Sequence, residues 1–314
     1  MSPTAVSHRG RFAPSPTGKM HLGNARSALL GWLWARAEGG EFWLRMEDLD
    51  AARSRPEHVV RVLEDLRYLG LTWEGPLLIQ SERAELYDTV LKTLASQGRT
   101  YPCFCSRAEI ARAVSAPHGP LDDGPVYPQT CLALTPDERK EKARQRPAAL
   151  RFRPRAGEFR FTDGVKGSRA QDVAQEVGDF VVQRNDGVAS YQLAVVVDDH
   201  ASGITHVLRG EDLLGSTPRQ LQLYEALGWT PPHFAHVPLL LGEDGKRLAK
   251  REGPSAIADL RAAGVPAEKL LGVLAKWSGL SDGRPTTAQA LVSGFALENI
   301  SRDPVVVCEA DLRF

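Results

Sequence analysis

A chain of 314 residues, 42% hydrophobic and 25% charged, has the balance of a globular protein with a sizeable core. That excludes disorder and leaves room for two domains or for one large α/β domain carrying an insertion. Lys plus Arg equals Asp plus Glu at 39 each, so net charge points to no polyanionic partner, while no apolar run approaches the ~18 residues of a membrane span and the opening MSPTAVSHRGRF lacks the apolar core of a secretory signal; the expectation is a cytoplasmic protein without a membrane partner.

In chain order, residues 11–13 read as a short strand running into a Pro/Gly turn. Residues 24–38 read as a helix ended by Gly39 and Gly40, and residues 41–48 as a buried strand. Helical periodicity returns over 56–68, with Pro56 at the start where its missing N–H costs nothing, and a further helix spans 82–96. Strand–helix–strand–helix at this spacing predicts a parallel, doubly wound α/β sheet, with a nucleotide site at the carboxyl ends of its strands.

Regularity breaks over 101–136, where Pro102, Pro117, Pro120, Pro125, Pro128 and Pro136 make a loop too long to stand without a staple. From Arg139 to Arg169 eleven basic residues face three acidic ones. Opening that window at Asp137 softens the bias, and it reads as a solvated surface or as a nucleic-acid contact. Asn185, Asp186 and Gly187 then mark a turn between two apolar runs. Residues 205–212 and 236–241 read as strands and 218–227, 256–263 and 267–277 as helices, while the last ~35 residues show no strong period.

Two segments carry chemistry. The first, Pro14 to Asn24, joins a strand to a helix through a glycine-bearing turn, where backbone and ligand approach closely and the helix N-terminus favours phosphate. There His21 is suited to donate to a triphosphate, and Gly23 leaves room for an adenine ring. The second, Lys246 to Arg251, is a cationic loop between Gly245 and Gly253, of the kind that closes over phosphates. Taken singly, a histidine before a glycine is commonly structural and a basic loop commonly solvated. Cys103, Cys105 and Cys131 form a cluster that in an intracellular chain points to metal or catalysis rather than to disulfides. Buried, unligated thiols are the plain alternative, and Cys308 lies outside the cluster.

Together the two segments resemble the HIGH and KMSKS elements of class I aminoacyl-tRNA synthetases. The wording around them, RFAPSPTGKMHLGNARSALL, RMEDLD, YQLAVVVDDHASGITHVLRGEDLLGSTPRQ and KRLAKREG, is similar to the glutamyl-tRNA synthetase catalytic core over residues 9–277. Three positions depart from the pattern: Asn24 for the final His of HIGH, and Arg247 and Ala249 for the first Lys and the Ser of KMSKS. Lys250, the second Lys, is retained.

The resemblance implies a Rossmann-like class I core with an inserted zinc-bearing subdomain and a short helical C-terminal extension, divided as 1–98 and 176–255 for the two catalytic halves, 99–175 for the insertion and 256–314 for the extension. It implies Arg11, Arg209 and the Tyr191 hydroxyl on the side-chain carboxylate of glutamate, Glu47 on the ammonium, and Phe12, Ala13, Pro14 and Ser15 framing the substrate. Bidentate guanidinium binding suits a carboxylate, and glutamine cannot accept both charge-assisted pairs. ATP, with Mg²⁺, would meet His21, Gly23, Asn24 and Lys250, of which His21 and Lys250 stabilise phosphate charge. One structural Zn²⁺ would be held by Cys103, Cys105, Tyr127 and Cys131, with Tyr127 implied by the family pattern; on general chemistry His118 is the more familiar fourth ligand.

Only 63 residues follow Arg251, too few for the anticodon-binding domains of an ordinary glutamyl-tRNA synthetase. The chain therefore resembles the truncated glutamyl-queuosine tRNA(Asp) synthetase family, which implies glutamyl-adenylate formation without tRNA and then transfer to the queuosine base of tRNA(Asp), by a monomer. Two alternatives stand beside it: a minimal synthetase charging a tRNA 3′ end, and a catalytically idle tRNA-binding paralogue.

Overall fold

The computed structural model describes residues 8–113, 126–246, 248, 256–308 and 311. The chain opens with β1 (Arg9–Phe12), α1 (Leu22–Ala37), β2 (Glu41–Met46), α2 (Pro56–Tyr68) and β3 (Glu74–Ile79). β2 lies parallel to β1 with Arg9 opposite Glu41 and Phe12 opposite Leu44. β3 is parallel to β2 in turn, giving the order β1-β2-β3. Helices on the connections cover both faces of such a sheet, so its strands read as continuous apolar runs rather than alternating ones. α1 follows the same logic. It is buried on nearly every side, including Leu22, Leu29, Leu30 and Leu33, and therefore shows no single apolar stripe.

After a 3₁₀ turn at Gln80–Arg83, α3 (Ala84–Ser96) leads out of the first half. The irregular stretch carries β4 (Thr100–Cys103) and α4 (Arg107–Ala113), followed by α5 (Pro136–Gln145), β5 (Ala149–Phe152), the hairpin β6 (Phe159–Asp163) and β7 (Gly167–Gln171), α6 (Val173–Glu176) and β8 (Phe180–Gln183). β4, β5 and β8 form an antiparallel sheet in that order. α5 buries none of its residues and starts with a Thr135–Glu138 capping box, so local caps rather than an apolar face hold it. The apolar run after the Asn185–Gly187 turn does not return as a hairpin strand. It is a helix, α7 (Tyr191–Ala201), because Ser190 caps its first turn and the run is long enough for three turns.

The second half continues with β9 (His206–Gly210), α8 (Thr217–Leu227) and β10 (His233–Val237), parallel to β9. Thr205 N–H donates to Arg9 O at 2.9 Å, so this pair sits beside β1 and extends the parallel array on its other side. The order in which successive strands are added reverses between β1, from which β2 and β3 run one way, and β9, from which β10 runs the other; this is the switch point where doubly wound sheets bind ligands. Residues 236–241 do not form one strand: Pro238 ends β10, and β11 (Leu240–Leu241) pairs instead with β12 (Val305–Val306). The C-terminal part, expected to be helical, thus adds a short strand beside β11 after α9 (Ile257–Ala262), α10 (Ala267–Lys276) and α11 (Ala288–Leu291). One core packs Leu29 and Leu33 of α1 against Phe42, Leu208, Leu270 and Leu274, where cutting a leucine to alanine costs about 2–5 kcal/mol. A second core, with Leu94, Phe152, Leu193, Val197 and Leu223, joins α3, α7 and α8 to the sheet of β4, β5 and β8. Among the described residues no helix is long and apolar enough to cross a membrane.

Candidate active site

A cleft of about 580 Å³ opens at the carboxyl ends of β1 and β9. Its walls hold Arg11, Phe12, Ala13, Pro14 and Ser15 from β1 and the turn after it, Glu47 just past β2, Tyr191 at the start of α7 and Arg209 in β9. The turn and the end of β2 are tied by Glu47 N–H to Pro14 O at 3.0 Å. His21, Gly23 and Asn24 line the same cleft, so all the expected amino-acid and nucleotide residues but one converge there. The exception is Lys250, which lies outside the described residues.

His21 is the N-cap of α1, and its Nδ1 accepts the Asn24 N–H at 3.3 Å. A neutral ring that accepts at Nδ1 carries its proton on Nε2, so the cap itself sets a donor at the positive end of α1. A Cβ on Gly23 would stand 3.2 Å from the His21 ring; the glycine leaves that ring its place.

Charge on the amino-acid side is arranged in a buried network. Asp199 receives Arg11 through Nε at 3.3 Å and Nη2 at 3.4 Å, and Arg45 Nη1 at 2.5 Å. Arg45 Nη2 reaches Glu47 Oε1 at 3.1 Å. Asp198 is held by Gln80, Arg83 and Tyr87 at 2.8, 2.6 and 2.8 Å. Two of Arg11's three nitrogens are thereby engaged, leaving Nη1 for the cleft. Arg209 is fixed similarly, its Nε on His236 at 2.9 Å and its Nη2 on Thr217 at 2.8 Å, while Nη1 stands 3.5 Å from the Tyr191 hydroxyl. Burial raises the Glu47 carboxyl against the pull of Arg45 and Arg11. Burial likewise opposes ionisation of Asp199, but Arg11 and Arg45 more than offset it and hold that carboxyl below its ordinary value. The cleft therefore presents two guanidinium faces and a phenol opposite one carboxyl group.

A second cavity of about 610 Å³ shares Ser15, Glu47 and Tyr191 with the cleft and runs to Cys103, Phe104 and Cys105, with Arg53, Arg107, Arg146 and Arg184 around it. Beyond it the three sulfurs of Cys103, Cys105 and Cys131 lie within 4.8 Å of one another. Cys105 and Cys131 are 3.6 Å apart, and the Tyr127 oxygen is 3.3 Å from Cys103 and 3.6 Å from Cys105. Tetrahedral zinc, with Zn–S about 2.3 Å and Zn–O about 2.0 Å, sets S···S edges near 3.8 Å and O···S edges near 3.5 Å, so this donor set fits one such ion. Arg151 Nε donates to Cys103 Sγ at 3.2 Å and Phe104 N–H to Cys131 Sγ at 3.3 Å, and the Arg151 guanidinium sits 3.8 Å over the Tyr127 ring. These contacts fix the positions of the sulfurs and of the phenol ring. His118, the other fourth ligand considered, lies outside the described residues.

Several residues that shape the cleft were not read from the sequence: Arg45, Asp198, Asp199, His236 and Thr217. The one visible signal was Asp198-Asp199 following Val195-Val196-Val197, since adjacent carboxylates on an otherwise apolar helix are buried only when paired. Arg26 was also passed over. It is 1% exposed, lines the cleft, and donates to Ser278 and to Pro238 O.

Residues 7–298 match the family described as tRNA synthetases class I (E and Q), catalytic domain. The chain is 53% identical, over 94% of both lengths, to a Symbiobacterium thermophilum protein named glutamyl-Q tRNA(Asp) synthetase. It is 39% identical to a glutamate–tRNA ligase of Desulforamulus reducens, covering 96% of this chain but 64% of that protein. Among solved structures, a glutamate tRNA ligase from Elizabethkingia meningosepticum in complex with its amino acid superimposes with a TM-score of 0.85 at 28% identity, covering 97% of this chain and 68% of that one.

Proposed function

The chain belongs to the glutamyl-Q tRNA(Asp) synthetase family of class I aminoacyl-tRNA synthetases, which are ligases, and from that premise we propose that it activates glutamate with ATP in the absence of tRNA and passes it to the queuosine base of tRNA(Asp). The observation that carries the amino-acid half is the pair of Nη1 faces, from Arg11 and Arg209, set with the Tyr191 hydroxyl in one cleft with Glu47. That is the complement of a side-chain carboxylate and an ammonium. A glutamine amide accepts at one oxygen only and brings no charge, so it loses one of the two charge-assisted pairs.

With both ends of glutamate so bound, its α-carboxylate faces the N-terminus of α1. ATP lies there, against His21 Nε2–H, Asn24 and the space beside Gly23. The carboxylate oxygen attacks the α-phosphorus in line, the bond to the β-phosphate oxygen breaks, and pyrophosphate leaves. No protein nucleophile is required, because the attacking group is already an anion; the chain supplies position and fixed positive charge. His21 and Lys250 stabilise charge on the phosphates. Mg²⁺ bound with ATP supplies further neutralisation of the triphosphate.

In the second step a hydroxyl of the queuosine cyclopentenediol attacks the carbonyl carbon of the mixed anhydride and AMP departs. The acceptor must reach that carbon beside Glu47 and Tyr191. The second cavity, which shares both residues with the cleft and is surrounded by four arginines, supports an approach of a nucleotide from that side. Cys103, Cys105, Tyr127 and Cys131 would hold one Zn²⁺ ion, which would brace the residues from Cys103 to Arg107 that line this cavity.

The test is transfer of labelled glutamate to purified tRNA(Asp), with and without queuosine, followed by nuclease mapping. Label on the queuosine-containing anticodon fragment is the expected result. Label on the 3′ adenosine makes the protein a minimal synthetase instead. No transfer, with no glutamate-dependent ATP–pyrophosphate exchange, makes it an idle tRNA-binding relative.

A further inference from the structure

The anchoring of Arg209 continues past the cleft. An acceptor at His236 Nε2 requires the ring proton on Nδ1, and that proton is given to Asp163 Oδ2 at 2.6 Å. Asp163 in turn receives the N–H groups of Val165, Lys166 and His236 at 3.0, 2.8 and 3.1 Å, so its carboxylate cannot swing. Asp163, His236 and Arg209 are 2%, 0% and 5% exposed. The line starts on the β6–β7 hairpin, crosses β10 and ends in β9. The hairpin docks closely because its turn carries Gly164. The glycine N–H donates to Phe234 O at 2.8 Å, and a Cβ there would lie 2.7 Å from Leu297 Cδ2.

We infer that His236, oriented by Asp163, is the positioning residue that aims Arg209 at the side-chain carboxylate of the substrate. The inference rests on the glutamate reading given above. Its physical basis is the kind of acceptor used. Arg11 is held by a carboxylate, which neutralises as it orients. The acceptors on Arg209 Nε and Nη2 are an imidazole, a hydroxyl and, at 3.4 Å, Leu213 O, all uncharged. They lock the plane of the guanidinium and leave its full charge for a ligand at Nη1. Facing His236 are Asp163 from β6, Arg209 from β9, Arg11 from β1 and the Thr217 hydroxyl from α8. Burial, opposed by Asp163 and reinforced by the two arginines, pushes the ring down to about 4, so the acceptor state holds throughout the neutral range.

The experiment is glutamate-dependent ATP–pyrophosphate exchange by the full chain. It compares the wild type with His236→Asn, His236→Gln, Arg209→Ala and the double variant His236→Asn with Arg209→Ala. Asparagine can still donate to Asp163 but withdraws the acceptor from Arg209; the longer glutamine side chain can put an oxygen where Nε2 was. Leaving the Arg209 Nε–H buried without an acceptor is expected to raise the glutamate KM about 10- to 100-fold in His236→Asn, with the ATP KM unchanged. His236→Gln is expected nearer to wild type, and in the Arg209→Ala background His236→Asn is expected to add no further loss. Equal effects of Asn and Gln, movement of the ATP KM together with the glutamate KM, or an additive loss in the double variant overturns the inference. Should His236→Asn not fold, Asp163→Asn replaces it. Its amide turns a donor towards Nδ1 and inverts the tautomer, and an unchanged glutamate KM overturns the inference. A wild type with no glutamate-dependent exchange overturns the glutamate reading itself, and this inference with it.

Discussion

Asp199→Asn removes one charge from the centre of the buried network without changing its volume. In the folded chain the Asp199 carboxylate is fully enclosed and serves Arg45 at 2.5 Å and Arg11 at 3.3 and 3.4 Å. The amide keeps one acceptor oxygen but turns an NH₂ towards the other arginine, so one buried cation faces a donor instead of an anion. Breaking one side of a buried ion pair costs about 3–5 kcal/mol; the retained oxygen puts this change at the lower end, about 3 kcal/mol. At about 2.1 cal/mol/K per residue, the 314 residues unfold with an entropy of about 0.7 kcal/mol per degree. The melting midpoint should therefore fall by about 4–5 °C. Arg11 loses the fork that leaves Nη1 for the cleft, so the glutamate KM should rise at least about tenfold, equivalent to 1.4 kcal/mol, with the ATP KM little changed. Thermal unfolding by circular dichroism and ATP–pyrophosphate exchange measure the two effects. A variant that melts within about 1 °C of wild type and keeps its glutamate KM refutes the account of Asp199 as the anion that holds Arg11 and Arg45.

Lys250→Ala is expected to slow adenylate formation by one or more orders of magnitude while the glutamate KM stays within about twofold; a change confined to the glutamate KM removes Lys250 from the phosphates. Metal analysis of the purified chain is expected to find about one zinc per chain, lowered by Cys103→Ser and by Tyr127→Phe, whereas loss with His118→Ala and not with Tyr127→Phe would transfer the fourth ligand to His118. Acid should destabilise the fold well above the carboxylate range. Burial, the largest cause in each, pushes His8 to about 3 and His206 and His236 to about 4. In the unfolded chain they titrate near 6.5, so between pH 6.5 and 4 the unfolded state binds more protons and stability falls as pH is lowered. Asp65, raised to about 6 by burial, carries the opposite sign between pH 6 and its ordinary 3.8 and offsets one histidine. Urea midpoints at pH 7.5 and 5 test the balance; an equal or higher midpoint at pH 5 contradicts it.

The legible parts of this protein were those whose cause is local. Gly39 and Gly40 end α1 because they follow its last turn, and Pro56 opens α2 because its ring suits the first helical position. The turn before α1 is readable as an anion site because glycine, N-cap and helix start are contiguous. β3 was not readable: its Glu74–Ile79 segment contains Gly75 and Pro76, which argue against a strand in isolation, and pairing to β2 overrides them. β12 was hidden for the same reason, since two residues acquire a strand's geometry only from β11. The α7 run was ambiguous, because an apolar stretch of that length serves as strand or helix until its neighbours are known.

Residue types and spacing by themselves pointed to a phosphate site at a helix start and to a cysteine cluster suited to a metal, while the family resemblance those segments carry supplied the expectation of two arginines, a tyrosine and a glutamate around a dicarboxylic amino acid. Only the tertiary structure decided how those groups are made to work. A sequence reports which charges exist but not which of them already neutralise one another. That depends on packing that brings Asp199 from α7 onto Arg11 of β1, and Asp163 from the β6–β7 hairpin, through His236, onto Arg209 of β9. One arginine is thereby held by an anion and the other by neutral acceptors, and that difference exists only in the folded chain.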